Sequence, residues 1–305
     1  MSLKINPPNF LSILEEVLII EDEEYKKSHE FAYRHNPSSG LARSPDGKRV
    51  GACMRSLYYK SKQTPESNPR DFASRLTAGF GNAIHTWFIA KLQKSKKLSV
   101  IGEAPGRVSV DGLTREISFR LDGLVTHRGE LGGVELKTGA NYGLQSMRKK
   151  GGPHEKDILQ ILSYFGTNEA ITWFGLVYLA RDSGFRAEYH IWKEDGKFYL
   201  KGLVPTMSAR EINHLSFPGI INEWKELEKR IESDDIPPRD YKVVFADDGR
   251  IVYSRVKKGI KYKSDNTCLW CPWQKTCWDS PGAKEDSVQA GTVPALAKGP
   301  NKVEE

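Results

Sequence analysis

The sequence predicts an α/β fold in which strands cluster rather than alternate strictly with helices. Three observations lead there. Helical periodicity runs over 9–30 and again over 72–96. Segments with strand character occupy 98–110 and 115–140. A helix at 157–168 then separates these from a second strand group at 171–194. With 305 residues, 38% of them hydrophobic, the chain can bury a sizeable core, either as one large domain or as a core with an appended module.

In order, the first helix places Leu11, Leu14, Leu18 and Ile19 on one side. Residues 35–51 are rich in turn formers and read as a polar loop. The helix over 72–96 is long but weakened by Gly79 and Gly81. Residues 115–140 read as two strands joined by a Gly-containing turn, and "KKGGPHEK" as a loop. Strands at 171–182 and 185–194 suggest a hairpin. Residues 208–235 read as helix interrupted near Pro218, and 239–264 have mixed character. The segment 281–305 has no aromatic residue and is rich in Gly, Pro, Lys and Glu, which predicts a disordered tail. The expected organisation is an N-terminal helical extension and loop (1–50), a main domain (51–280) and that tail, with no internal repeat.

The net charge of +7 suits a polyanionic partner, although Lys and Arg are spread too evenly to form a basic arm. No apolar run reaches the roughly 18–20 residues of a membrane span. The first twenty residues carry Pro7, Pro8, Glu15 and Glu16 and lack a small-residue cleavage site, so no secretory signal is expected. The expected compartment is the cytoplasm, where structural disulfides are rare.

The stretch "GGVELKTGA" (132–140) sets Glu135 and Lys137 two apart in an apolar run, so strand alternation aims both at one face. If the strands around Asp122 and Glu135 pair, the two carboxylates converge. Like charges at one place repel unless a divalent cation lies between them, and Mg²⁺ binds through one or two carboxylates plus water and phosphate oxygens. Lys137 would then stabilise charge developing on a phosphorane. The plainer reading is an edge strand with a Glu and a Lys in water. Two further patterns favour the first. Gln160 and Tyr164 share a helix face at i, i+4, and His85 follows Gly81 by four on a helix where glycine permits close approach.

Taken in order, Gly81/His85, Asp122, Glu135/Lys137 and Gln160/Tyr164 resemble the RecB-type nuclease branch of the PD-(D/E)XK superfamily. The resemblance spans roughly 50–195 and implies a restriction-endonuclease-like core with a central mixed sheet flanked by helices. It implies His85, Asp122 and Glu135 as ligands of Mg²⁺ or Mn²⁺ and Lys137 as the catalytic lysine, with Gln160 and Tyr164 beside the site in contact with DNA.

Of the four cysteines, Cys268, Cys271 and Cys277 form C-x2-C-x5-C, and three thiolates so close usually mean a metal. Cys53 is the remaining thiol, and a four-thiolate site would close a long loop around the core. One remote and three clustered ligands suit a [4Fe–4S] cubane better than the paired knuckles of zinc, and zinc stays the alternative. "GACMRSLYYK" carries the C-x-R-x-x-Y-Y pattern of iron–sulfur RecB-like exonucleases, a group that includes the CRISPR-associated fourth Cas protein and the AddB nuclease domain. So extended, the resemblance covers about 50–280 and implies a four-cysteine module joining N- and C-terminal segments of the nuclease domain.

Arg148, Lys149 and Lys150 are placed to follow a phosphate backbone, and Arg55 to bridge cluster and substrate. The resulting expectation is a Mg²⁺- or Mn²⁺-dependent DNA exonuclease acting on single-stranded or frayed-end DNA, in a recombination, phage or CRISPR-adaptation setting with protein partners from those systems. The rival is a DNA-binding accessory protein with a zinc or iron–sulfur site and little or no nuclease activity.

Overall fold

The computed structural model describes residues 10–28, 33–149, 151–246, 250–257 and 260–279. Lys150 and the tail expected to be disordered, 281–305, lie outside the described residues. The first helix, α1, is Phe10–Ser28. Residues 35–51 differ from the expected polar loop. They form a short 3-10 turn, Pro37–Ser39, and a small hairpin of β1 (Leu41–Arg43) with β2 (Arg49–Gly51). Leu41, Ala42 and Val50 enter the main core. Turn formers there mark the exposed reversal of a hairpin whose strands reach the core.

Helices α2 (Met54–Ser61) and α3 (Phe72–Leu92) follow. Asp71 caps α3 by accepting the Ser74 N–H at 2.8 Å. Then come β3 (Ser99–Val108), β4 (Ile117–His127) and β5 (Glu130–Gly139), followed by α4 (Asn141–Lys149) and α5 (Glu155–Thr167). The chain returns through β6 (Trp173–Ala180), β7 (Arg186–Glu194), β8 (Lys197–Val204) and β9 (Thr206–Glu211). These seven strands form one sheet in chain order. Only β5 and β6 pair in parallel, and α4–α5 supply the crossover that a parallel pair requires. The α/β expectation of a mixed sheet flanked by helices is met.

The helix expected over 208–235 starts later. Helix α6 is Phe217–Glu232, with Pro218 in its first turn and Ser216 as its cap, while 206–211 form the edge strand β9. Proline starts this helix because the missing N–H is one that no helix start can satisfy internally. Four short strands follow, β10 (Val244–Phe245), β11 (Ile251–Val252), β12 (Ser254–Lys257) and β13 (Ile260–Lys263), then α7 (Asn266–Leu269) and α8 (Gln274–Trp278).

The main core lies between the sheet and α5 with α6; α5 is buried from Asp157 to Phe165. Helix α3 covers the opposite face through Ile89, which packs with Val125 and Val134. Among the described residues no helix is long and apolar enough to cross a membrane.

Buried Glu228 on α6 ties distant segments together. Its Oε1 accepts the Arg115 N–H at 2.9 Å and lies 2.9 Å from His35 Nε2, and its Oε2 accepts the Thr114 N–H at 2.8 Å. This anchors the start of β4, where residue 35 also pairs with Ile117. Burial works to raise the Glu228 pKa, yet the hydrogen bonds from Thr114, His35 and Arg115 hold it below 4.5. A depressed carboxyl adds stability that is present above 4.5 and lost as pH falls through the folded value. Glu228→Ala strands two amides and is expected to cost about 3 kcal/mol in urea unfolding at pH 7. Glu228→Gln should flatten the loss of stability below pH 4.5. An acid limb unchanged in Glu228→Gln would contradict the assignment.

Candidate active site

The site forms where β4 and β5 part. Their hairpin is a two-residue turn with both central residues at positive φ, Arg128 at 52° and Gly129 at 85°, the type whose twist matches the strands. That turn sets the register, and the ladder runs from His127↔Glu130 to Gly123↔Val134. Beyond it the Leu136 N–H is taken by the Asp122 carboxylate, whose Oδ2 accepts it at 2.8 Å. Gly133 lets β6 close against β5 on the core side, since a Cβ there would lie 2.1 Å from the Phe174 ring.

Alternation along β5 turns Glu135 and Lys137 toward α5, beside their register partners Leu176 and Tyr178. Lys137 Nζ donates to Glu135 Oε1 and to Gln160 Oε1, both at 2.7 Å. Gln160 Nε2 donates to Glu135 Oε1 at 2.8 Å and to the Tyr164 hydroxyl at 2.7 Å. The Tyr164 hydroxyl in turn donates to the Arg120 carbonyl at 3.2 Å. From the other face α3 runs unbroken through Gly79 and Gly81. A Cβ on Gly81 would meet Thr138 Oγ1 at 3.3 Å, so the glycine lets helix and strand approach. One turn further, His85 Nδ1 lies 3.2 Å from Asp122 Oδ2. The structure thus gathers His85, Asp122, Glu135, Lys137, Gln160 and Tyr164 into one polar cluster.

Burial, reinforced by Asp122, pushes the Glu135 carboxyl up to about 7 against the pull of Lys137. Burial works to lower the Lys137 pKa, but Glu135 and then Asp157 outweigh it and the ammonium is held above its ordinary range. Among the described residues no hydrogen bond reaches Glu135 Oε2, which is buried, although the Tyr164 hydroxyl is close enough to Glu135 for the two to influence each other. A buried polar oxygen left unmatched is costly. Among the described residues, no group of three His, Cys, Asp or Glu side chains is closed around a metal position. The reason is visible in the bonds: Asp122 Oδ2 faces His85 and Leu136, while Glu135 Oε1 faces Lys137 and Gln160. The carboxylates of Asp122 and Glu135 are donors of the type that Mg²⁺ or Mn²⁺ takes.

Beside the cluster lies an open cleft of about 400 Å³, lined by Arg70, Ser74, Asn82, His85, Lys137 and Arg181, among others. Arg181 also donates to the Thr77 carbonyl of α3 at 3.1 Å. Sequence reasoning did not find Arg70, Ser74, Asn82 or Arg181. The signal available was the run of small and polar residues at helical spacing, Ser74, Ala78, Gly81, Asn82 and His85, which marks the face of α3 that meets an open cleft.

Cys53, Cys268, Cys271 and Cys277 line one small cavity of about 20 Å³ with Tyr59 and Trp278. Burial, then Asp240 and the neighbouring thiols, pushes the Cys53 thiol up to about 12. Burial followed by Cys53, Cys277 and Cys271 raises Cys268 as well. Burial is the larger cause in both, with the neighbouring thiols adding to it. Among the described residues these thiols, too, form no group of three or more arranged to hold a metal ion.

Arg55 is engaged here, where its Nε donates to the Pro237 carbonyl at 2.6 Å and its guanidinium lies 3.8 Å from Cys277 Sγ. Arg148 and Lys149 are exposed in the last turn of α4, not in the loop expected there.

Fold and site together define an α/β protein with a charged, partly buried polar site at the opening of a mixed sheet. No protein-family model matches the chain, and no curated protein matches it. Among solved structures it is similar to SSO0001, at 17% identity and a TM-score of 0.42, over 75% of this chain and 90% of that one. It is also similar to LHK-Exo, an alkaline exonuclease from Laribacter hongkongensis, at 14% identity and a TM-score of 0.37, over 60% of this chain and 79% of that one. LHK-Exo in complex with dAMP gives 14% identity and a TM-score of 0.36 over the same shares.

Proposed function

We propose that this protein is a Mg²⁺- or Mn²⁺-dependent deoxyribonuclease whose site is the His85–Asp122–Glu135–Lys137 cluster. The observation that carries the reading is the unpartnered, buried Glu135 Oε2 beside a fixed ammonium at the edge of an arginine-lined cleft. His85, Asp122 and Glu135 would hold the ion, which when bound polarises a phosphodiester and lowers the pKa of a water. Lys137 Nζ stands ready for negative charge developing on phosphate oxygens. Gln160 fixes both Glu135 and Lys137, and Tyr164 fixes Gln160. Arg70 and Arg181 supply positive charge for the adjoining backbone phosphates. Action on single-stranded or frayed ends, and a setting in recombination or CRISPR adaptation, follow from the sequence resemblance. The four cysteines would carry a [4Fe–4S] cluster in a structural role.

One observation favours the accessory reading, in which the fold binds DNA and hardly cleaves it: the Glu135 Oε1 bonds to Lys137 and Gln160 leave no closed group of three ligands. The two readings part in one assay. Linear single-stranded DNA, linear duplex and covalently closed circular DNA are incubated with the iron-loaded protein and Mg²⁺ or Mn²⁺, with EDTA as control. The expected result is loss of linear strands, fastest for single-stranded DNA, with circles intact. Circles cut as fast as linear DNA would replace exonuclease by endonuclease action, and no hydrolysis with either ion would leave the accessory reading.

A further inference from the structure

Asp157, at the start of α5, belongs to none of the sequence patterns and is almost fully buried. Its Oδ2 accepts the Tyr178 hydroxyl at 2.7 Å. Tyr178 is itself 1% exposed and is the parallel-strand register partner of Lys137, so its ring lies beside the lysine on the same sheet face. Asp157 also stands one helical turn before Gln160, the residue that accepts from Lys137 Nζ. A closed ring results: Lys137 to Gln160 by a hydrogen bond, Gln160 to Asp157 along α5, Asp157 to Tyr178 by a second hydrogen bond, and Tyr178 back to Lys137 across β6 and β5.

A buried carboxylate needs a reason, because an apolar pair of the same shape would fill this space at lower cost. The Tyr178 hydroxyl supplies one hydrogen bond, and the first turn of α5 favours a carboxylate at this position. The strand register of Tyr178 with Lys137 brings this carboxylate to the lysine's side of the sheet, where it also favours the ammonium. Glu135 has two demands on it, since its Oε1 holds Lys137 and Gln160 while its Oε2 is unmatched. A carboxylate that turns toward a ligand or substrate loosens its hold on the ammonium. Asp157 instead accepts from Tyr178, so its placement does not depend on Glu135.

We infer that Asp157, held by Tyr178, is a positioning residue that keeps the Lys137 ammonium aimed into the cleft independently of Glu135. The inference rests on the reading of Lys137 given above. Its role is carried through the lysine and involves no contact with DNA.

The test compares Asp157→Asn and Tyr178→Phe with the parent, alone and combined with Lys137→Ala. Melting temperature and affinity for a fluorescein-labelled single-stranded oligonucleotide in EDTA are measured first, then kcat and KM with Mn²⁺. Asp157→Asn is expected to lower kcat at least tenfold with KM and EDTA affinity within twofold, and Tyr178→Phe to lower kcat about threefold in the same pattern. In the Lys137→Ala background neither change should lower the residual rate further, because residues acting through one group do not add. Should Asp157→Asn fail to fold, Tyr178→Phe carries the same comparison. Parent-like kcat in the folded variants, or an equal loss with and without Lys137, overturns the inference while the nuclease reading stands. Full activity of Lys137→Ala overturns both.

Discussion

Replacing Lys137 with alanine is expected to lower metal-dependent hydrolysis of single-stranded DNA by about 10²- to 10³-fold, with kcat taking the loss. The argument begins with the cost of the ammonium. Its side chain is 25% exposed, and it sits between Glu135 Oε1 and Gln160 Oε1. Holding a charge there is expensive unless the charge is used, and a purely structural strand at this point would favour an apolar residue such as its neighbour Leu136. Lys137 also lines the cleft that Arg70 and Arg181 make positive. An ammonium fixed before the reaction stabilises developing negative charge without reorganising, which is why its removal falls on kcat. The variant leaves Glu135 without its cation, so a stability loss of about 1–3 kcal/mol is expected alongside. Melting curves separate that loss from the kinetic one. A folded Lys137→Ala protein with the parent's rate would make the ammonium structural and move the chemistry elsewhere.

What the sequence made legible here depended on range. Alternation in 132–140 placed Glu135 and Lys137 on one face, and i, i+4 spacing placed Gln160 with Tyr164, since both rules act within one element. The proximity of Asp122 to Glu135 was reachable because one short hairpin connects them. Asp157 escaped because a single Asp near a helix start reads as a solvated end, and only the parallel β5–β6 pairing brings Tyr178 over it. Arg181 escaped because it follows β6, far along the chain from α3, which it touches. The His35–Glu228 contact spans most of the chain and has no local pattern. Strand β8 was missed for a different reason. Asp195-Gly196, with both residues at positive φ, is a strong two-residue hairpin signal, and reading it would have shown β7 continuing into β8. Strand β9 was taken for helix because its charged residues lie on an exposed edge, where neither period is imposed by a core.

Cys53→Ser is expected to remove the visible absorbance and most of the iron from protein purified without oxygen, and to lower stability by about 5 kcal/mol relative to the loaded parent. The size follows from connectivity. A cross-link from residue 53 to residue 268 closes a loop of about 200 residues, and by the chain-entropy estimate one such link stabilises by about 5 kcal/mol. Hydrogen bonds join the two segments that such a link would connect. The Trp273 indole N–H donates to the Thr64 carbonyl at 2.8 Å, the Asn68 N–H to the Pro272 carbonyl at 2.7 Å, and the Thr276 N–H to Ser67 Oγ at 3.0 Å. Arg239 donates to the Cys277 carbonyl and stacks 4.9 Å over Trp278. These contacts dock the C-terminal cysteines onto the segment after α2, yet they are few and lie partly at the surface, so they hold the geometry more than they stabilise it. Burial, more than the neighbouring thiols, raises Cys53 and Cys268, and a bound cation would favour their thiolates. Iron and acid-labile sulfide analysis of the parent and of Cys53→Ser and Cys268→Ser decides the matter. Equal loss in both variants supports one shared cluster. Zinc without iron in the parent would assign the site to zinc, and a Cys53→Ser protein that keeps its full metal content would remove Cys53 from it.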